Sequence, residues 1–375
     1  MTQVPIPEGR PGRLAPAPSI AASGAVVRIR EKALRDYCRD LLTALRVPDA
    51  HARIVGDSLV AANLRGVDSH GIQMIGSYIA HLQAGGVDPA EAGCVASESG
   101  GCLTYDGRNG LGQVVAERCT DHVIRLVRGN GLAMVVARNS NHFGAAAYWA
   151  QKVGRSGFIG IAMCNAAPAI PPWQGRSPRF GTNPLGVAVP SGGRDGWVLD
   201  MATSTVALGK LGNAAYHGET TIPASWGFLD ANGHPTTDTK AAQQGRQTPI
   251  GGYKGSGLAM MVEILTAGLA GGPMASEVPY FGKGAESLRI SHAFMAIDPA
   301  RFMGLNEFET RLDRLNGLVK SSEPAPGFNE VLVAGEPEWL EERKRRKDGI
   351  PIPLSLWQKL EGTAKSLKVT PPKTE

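Results

Sequence analysis

Helix-patterned segments at both ends of the chain enclose a strand-rich middle, and this order limits the fold more than any other feature. From about Arg28, the apolar residues Leu34, Tyr37, Cys38, Leu41 and Leu45 recur at spacings of three and four, which predicts one buried helix face. Pro48 ends this helix or opens the next, which carries Ile54, Val55, Leu59 and Ala62 and stops at Gly66. A further helix is expected around residues 74–84, before Gly85-Gly86. The middle then alternates. Leu103-Thr104-Tyr105 and Leu132–Ala137 read as strands around a helix at 112–128, and a helix over 144–155 leads into the strand Phe158–Cys164. Short strands follow at 185–189 and 196–200, and Ala293–Ile297 reads as one more. Gly255–Leu269 reads as a long apolar helix, and further helices are expected at 306–321, 337–347 and 353–367. The pattern predicts an α/β (α+β) protein with an α/β domain inserted into a discontinuous helical domain, its sheet at least partly parallel. The expected divisions are a disordered extension or misplaced start over 1–26, a first helical part over 27–95, and the α/β domain over 96–250. The second helical part, 251–375, would return one strand at about 293–297 to the sheet.

An α/β chain invites a search for a nucleotide cradle. The dinucleotide fingerprint G-x-G-x-x-G after a strand is not met. Gly110-Leu111-Gly112 lacks the third glycine, Gly129-Asn130-Gly131 precedes a strand, and no strand leads into Gly255-Ser256-Gly257. No P-loop spacing occurs either. Any nicotinamide therefore needs a non-Rossmann cradle. Candidates are polar turns next to strands and helix starts: Asn139 to Ala146, Phe180 to Pro184, Leu199 to Ser204, and Gly252 to Gly255. Backbone N–H groups at a helix start suit a phosphate. Each turn also has a purely structural use, capping a helix or turning the chain.

Bulk properties exclude other classes. With 375 residues, 42% hydrophobic and 19% charged, the chain is an ordinary globular protein large enough for two domains. A net charge of +5 is small for this size, and the run Arg343 to Lys347 follows Glu336, Glu338, Glu341 and Glu342. That is the pattern of a solvated, salt-bridged helix, so no nucleic acid is expected. Five cysteines with no C-x-x-C pair point away from metal and disulfide frameworks and towards a reducing cytosol. No apolar run reaches the roughly 18 residues that span a bilayer, and the start lacks the pattern of a signal peptide.

Arg65-Gly66-Val67-Asp68-Ser69-His70-Gly71 sets an imidazole at a helix exit, where it either transfers protons near neutral pH or merely caps and packs. In order along the chain come Asp68-Ser69-His70-Gly71, Asn139 to Gly144, Arg179 to Pro184, Leu199 to Ser204, Tyr253-Lys254-Gly255 and Gly335-Glu336-Pro337-Glu338. Together, over about residues 28–367, they strongly resemble the type-2 malate/L-lactate dehydrogenase family. The hydroxycarboxylate dehydrogenase B branch is the nearest pattern, sharing Ser-His-Gly-Ile-x-Met, Arg-Phe-Gly-Thr-Asn-Pro and Gly349-Ile350-Pro351.

The resemblance implies a non-Rossmann NAD(P)-binding domain and oxidation of a 2-hydroxy acid, or reduction of a 2-oxo acid or cyclic imine, with NAD or NADP. It also implies a homodimer with the active site near the subunit interface. Carried over by position, His70, Gly144, Ala145, Ala146, Val198, Leu199, Asp200, Met201, Ala202, Tyr253, Gly335, Glu336, Pro337 and Glu338 would contact the dinucleotide. His142 or His70 would transfer the proton, Asp200 would orient or balance charge, and Thr182 or Lys254 would bind the substrate carboxylate. Met74 replaces the arginine that many members use to clamp a carboxylate, and a thioether cannot replace that two-point grip. Tyr253 stands where histidine is common, and Ala166 lacks a hydroxyl that another branch offers the cofactor. No metal is expected. His51, His81, His122, His217, His234 and His292 are assigned structural roles. Two other readings remain open: a cyclic imine reductase of the piperideine/pyrroline-2-carboxylate type, and an inactive dinucleotide-binding relative.

Overall fold

A computed structural model describes residues 25–192, 196–216, 218–280 and 285–374. The expected extension over 1–26 thus lies almost wholly outside the described residues.

The two ends of the chain build one core. Strand β1 (Val26–Ile29) is followed by α1 (Glu31–Thr43), α2 (Asp49–Leu64) and, after two short 3-10 turns, α3 (Ile75–Gln83). Of the predicted face, Leu34, Tyr37, Cys38 and Leu41 are buried in α1, joined by Leu42, while Leu45 lies just past the helix end and packs half-buried on the same core. Their partners include Ile350, Ile352, Trp357 and Leu360 from the far end of the sequence. Tyr37 and Trp357 rings meet at 5.5 Å, and the Tyr37 hydroxyl donates to the Leu360 carbonyl at 3.0 Å.

The middle forms a seven-stranded sheet. Its members are β2 (Cys94–Ser99), β3 (Cys102–Asp106), β4 (Leu132–Ser140), β5 (Ile159–Cys164), β6 (Leu185–Ala188), β7 (Val198–Met201) and a late strand, Ile290–Ile297. The late strand lies between β4 and β5, antiparallel to both. Helices α4 (Gly112–Asn130) and α5 (Ala146–Arg155) cover one face, where Val123, Val127, Trp149 and Val153 meet Val135, Ala162 and Phe294. Burial on both faces is why these strands read as continuous apolar runs.

An excursion follows, with α6 (Leu208–Tyr216), β8 (Phe228–Leu229), β9 (Pro235–Thr236), α7 (Thr239–Gln244) and β10 (Arg246–Gln247) around a small core of its own. Helix α8 (Tyr253–Glu263) continues as a π-helical turn over Ile264–Gly268. The late strand is β11. The chain ends with α9 (Leu305–Lys320), α10 (Glu336–Asp348), β12 (Ile350–Pro353) and α11 (Leu354–Ser366).

Several expectations change. Residues 26–29 are a strand, because Val26 to Ile29 pair antiparallel with Pro353 to Ile350. A partner more than 300 residues away leaves no local periodicity to read. The sheet is partly parallel as expected, through β3–β4, while its other named pairs are antiparallel. Helix α5 begins at Ala146 and not at 144, since Gly144 is left-handed at φ 81°. Helix α8, grouped above with the C-terminal helices, places Val262 against Val136, Met163 and Ala293 on the sheet's second face. The fold class itself, mixed α/β without a Rossmann arrangement, is as expected.

Candidate active site

The segment after α2 is held by a buried ion pair. Arg345 of α10 is 4% exposed and grips Asp68 at two points, 2.6 and 3.0 Å. The same guanidinium donates to the Asn63 carbonyl and to Glu341, both at 2.6 Å. Asn63 donates to Asp68 at 2.6 Å and accepts the Ile72 N–H at 2.7 Å. A Cβ on Gly71 would stand 2.3 Å from the Asn63 carboxamide, so only glycine lets the carboxamide close over this turn. The basic run Arg343 to Lys347 is thus partly internal, with Arg345 clamping the turn that carries His70.

His142 arrives from the loop after β4. A Cβ on Gly112, the first residue of α4, would lie 2.2 Å from the Asn141 carbonyl and 2.3 Å from that of His142, so glycine brings α4 against this loop. The His70 and His142 rings stack with centroids 5.7 Å apart and planes 19° apart. The Tyr78 hydroxyl, from α3, is 2.7 Å from His142 Nδ1, and the Gly144 N–H donates to the same nitrogen at 3.4 Å. Ser69 Oγ is 2.9 Å from His70 Nδ1. Burial, and then the neighbouring His70 and His292, lower His142 to about 3; burial also lowers His70. Both rings are therefore neutral at physiological pH. Burial raises the Tyr78 phenol above its ordinary value.

A cavity of about 380 Å³ runs along α5, lined among others by Arg65, Val67, Ala145, Ala147, Arg155 and Asp200. Asp200, on β7, opens onto the cavity and accepts the Ala147 N–H at the start of α5. The protein crowded around it raises its carboxyl to about 6, against the pull of that N–H and of Arg65. Gly335 backs onto β7, where the Val198 N–H donates to the Ala334 carbonyl at 3.1 Å. Glu338 acts electrostatically on both Arg65 and Asp200. Glu336 turns elsewhere: its carboxylate takes Lys320 and the Val333 N–H, and Pro337 starts α10.

The remaining candidates lie beyond the end of β7. Thr203 donates to the Thr182 carbonyl, and Ile250 N–H to the Thr203 carbonyl, which leads to Tyr253 at the start of α8. Tyr253 is exposed, with the Lys254 ammonium 5.9 Å from its ring. Met74 packs half-buried against the helical core. Sequence reading missed Tyr78, Arg65 and the Arg345–Asp68 clamp. Tyr78 occupies an apolar position of an amphipathic helix, and nothing local marks its hydroxyl as facing His142. Among the described residues no cluster of side chains could hold a metal ion, and no helix is long and apolar enough to cross a membrane.

Comparison with known proteins follows the same geometry. The sequence profile described as malate/L-lactate dehydrogenase matches residues 29–361. The chain is 36% identical to a malate dehydrogenase of Pyrococcus horikoshii over 351 residues, 92% of this chain and 96% of that one. A solved structure of malate dehydrogenase from the same organism superposes with a TM-score of 0.85 at 34% identity, covering 92% of this chain and 97% of the other. A (2R)-3-sulfolactate dehydrogenase (NADP+) of Chromohalobacter salexigens is 37% identical over 70% of this chain and 78% of its own length. A ureidoglycolate dehydrogenase (NAD+) of Escherichia coli is 32% identical over 89% of this chain and 95% of its own. With the profile spanning nearly every described element and whole-length relatives above 30% identity, the chain belongs to the malate/L-lactate dehydrogenase family of NAD(P)-dependent hydroxyacid dehydrogenases.

Proposed function

We propose that this protein interconverts a 2-hydroxy acid and its 2-oxo acid, with His142 as the group that transfers the hydroxyl proton. The observation that carries this reading is the half-buried, neutral His70–His142 stack with His142 Nδ1 held by Tyr78. With Tyr78 at Nδ1, the substrate oxygen would meet this imidazole at Nε2. In the oxidising direction the neutral ring would accept the substrate hydroxyl proton at Nε2 and become an imidazolium; in the reducing direction that imidazolium would return the proton to the oxygen forming at C2. The Tyr78 hydroxyl can donate to Nδ1 or accept from it, and so suits either tautomer. His70 would steady the nicotinamide face of the site or share the proton.

The residues present suit a dinucleotide. Arg65 Nη1 is buried without a hydrogen-bond partner among the described residues, and Asp200 would offer a carboxylate to ribose hydroxyls on the same cavity. His70, Gly144 to Ala146, Val198 to Ala202, Gly335, Pro337 and Glu338 would hold the group, and Tyr253 would approach it from α8. The Glu336 carboxylate is already engaged, so its contact falls to backbone. When bound, the nicotinamide supplies or accepts the hydride at C2. Thr182 and Lys254 are the proposed carboxylate contacts, since Met74 offers no charge.

A homodimer is proposed with it. Tyr253, Met260 and Ile264, at i, i+7 and i+11 along α8, form an exposed apolar stripe beside the exposed Trp173 and Leu269. A second copy would cover this stripe and bring Tyr253 and Lys254 under an interface.

The test is the absorbance of reduced nicotinamide with lactate, malate, sulfolactate, aryl-lactates and cyclic imino acids, each with both cofactors. Turnover of a 2-hydroxy or 2-oxo acid is expected. Turnover of cyclic imines alone would make the enzyme an imine reductase, and tight NADH binding without any turnover would make it an inactive relative.

A further inference from the structure

Most charges lining the cavity along α5 are already matched. Arg35 holds Glu31 at 2.9 Å and Asp57 at 2.6 Å, and Arg346 holds Glu31 and, at 2.7 Å, Glu342. Asp200 accepts the Ala147 N–H. Two cations differ. Arg65 is only 8% exposed, yet its Nη1 finds no hydrogen-bond partner among the described residues, and Glu342 stands 3.8 Å away, outside hydrogen-bond range. Its guanidinium lies over the Trp339 ring at 4.2 Å, which fixes the plane and leaves the edge available. Arg155, at the last turn of α5, touches Gln151 Oε1 at 3.3 Å and has no ion-pair partner among the described residues. Arg65 Nη1 and Arg155 are thus the cationic groups on this wall that no carboxylate engages within hydrogen-bond distance among the described residues. A buried guanidinium with an idle N–H is unfavourable unless a ligand completes it.

We propose that Arg65 is a phosphate-binding residue: its free edge, backed by Trp339, grips the diphosphate bridge of the dinucleotide, with Arg155 adding positive charge further along the cavity. This rests on the dinucleotide-binding reading above. The bridge is chosen over the 2′-phosphate because Arg65 lies five residues before His70 and shares the cavity with the first turn of α5. That turn begins four residues after His142 along the chain and presents the positive end of a helix of 10 residues. Arg65 therefore serves NAD and NADP alike.

The test measures NADH and NADPH dissociation constants by fluorescence, without substrate, for the wild type and Arg65→Gln, together with displacement of NADH by inorganic pyrophosphate. Arg65→Gln is expected to weaken both dinucleotides about tenfold or more, the scale of one charge-assisted hydrogen bond, and to abolish pyrophosphate competition. Thermal melting checks that the variant is folded. A purely structural Arg65 would lower the melting temperature and leave dissociation constants within twofold, which overturns the proposal. Loss confined to NADPH would place the 2′-phosphate there and overturn the assignment to the bridge. Should Arg65→Gln not fold, Arg65→Lys keeps the charge without the fork and should weaken both dinucleotides by a smaller factor. Failure of pyrophosphate to displace NADH from the wild type overturns the proposal without any variant. If the wild type binds neither dinucleotide, the dehydrogenase reading fails. Calorimetry with pyrophosphate alone, on wild type and Arg65→Gln, then decides the role of Arg65 separately.

Discussion

His142 is the residue on which the proposed chemistry turns, and burial sets how it behaves with pH. An exposed imidazole would lose its base form below about 6.5. With its value lowered to about 3, His142 stays neutral as pH falls, so no acid limb in kcat between pH 7 and 5 is expected from it. Asp200 titrates the other way: raised to about 6, it is ionised above that pH and protonated below. Affinity for NADH should therefore fall as pH drops through about 6, and Asp200→Asn should remove that dependence; a flat dissociation constant in the wild type would count against Asp200 as a ribose contact. Replacing His142 with Gln is expected to lower kcat by roughly 10²–10⁴-fold with NADH binding kept. Retained turnover would move the proton to His70. Tyr78→Phe should lower kcat about 10-fold or more while the cofactor KM stays within twofold, because one hydrogen bond that orients Nδ1 is lost. There is a stability counterpart. His142 and His292 are both held near 3 in the fold but take up protons below about 6.5 when unfolded. Their contribution to stability is present above that pH and declines as pH falls below it.

At the scale of elements, the site depends on how α2, α10 and the turn between α2 and α3 are tied. The Asp68–Arg345 pair joins segments 277 residues apart, with the Arg345 side chain 4% and the Asp68 side chain 18% exposed. Removing one partner leaves the other charge buried, so Arg345→Met is expected to destabilise by roughly 3–5 kcal/mol. The matching readout is a lower melting temperature together with a weakened His70-dependent step. Gly71→Ala should cost about 1–3 kcal/mol by overpacking against Asn63. If the alanine variant melts with the wild type, the Asn63 contact is not as tight as the geometry indicates. The helices themselves were legible, since α1, α4 and α11 bury the apolar positions that the sequence spacing marks. The edge pairing of β1 with β12 was not, because four-residue strands carry too few positions to show a period of two.

For the whole molecule, two surfaces of one chain stay uncovered. Helix α9 has no buried residue, with Leu315, Leu318 and Val319 exposed, and α8 shows its outer stripe. A dimer in sedimentation is expected, and Ile264→Glu should shift it towards monomer and lower activity together. A wild-type monomer with full turnover would remove the dimer from the site. The residue types and their order were enough to reach the fold class and the family and to single out the two histidines whose rings the structure stacks, because periodicity is local and the Ser-His-Gly and Asn-His-Phe-Gly turns are contiguous. Gly335 to Glu338 could be named only as a motif; the structure showed that Glu336 caps its own loop while Glu338 acts on Asp200. Tyr78 behind His142, Arg345 beneath the His70 turn, and Arg65 facing the cavity were decided by tertiary structure alone. Each joins positions far apart in sequence, or depends on which way a side chain turns once buried, and a linear pattern of polar and apolar residues encodes neither directly.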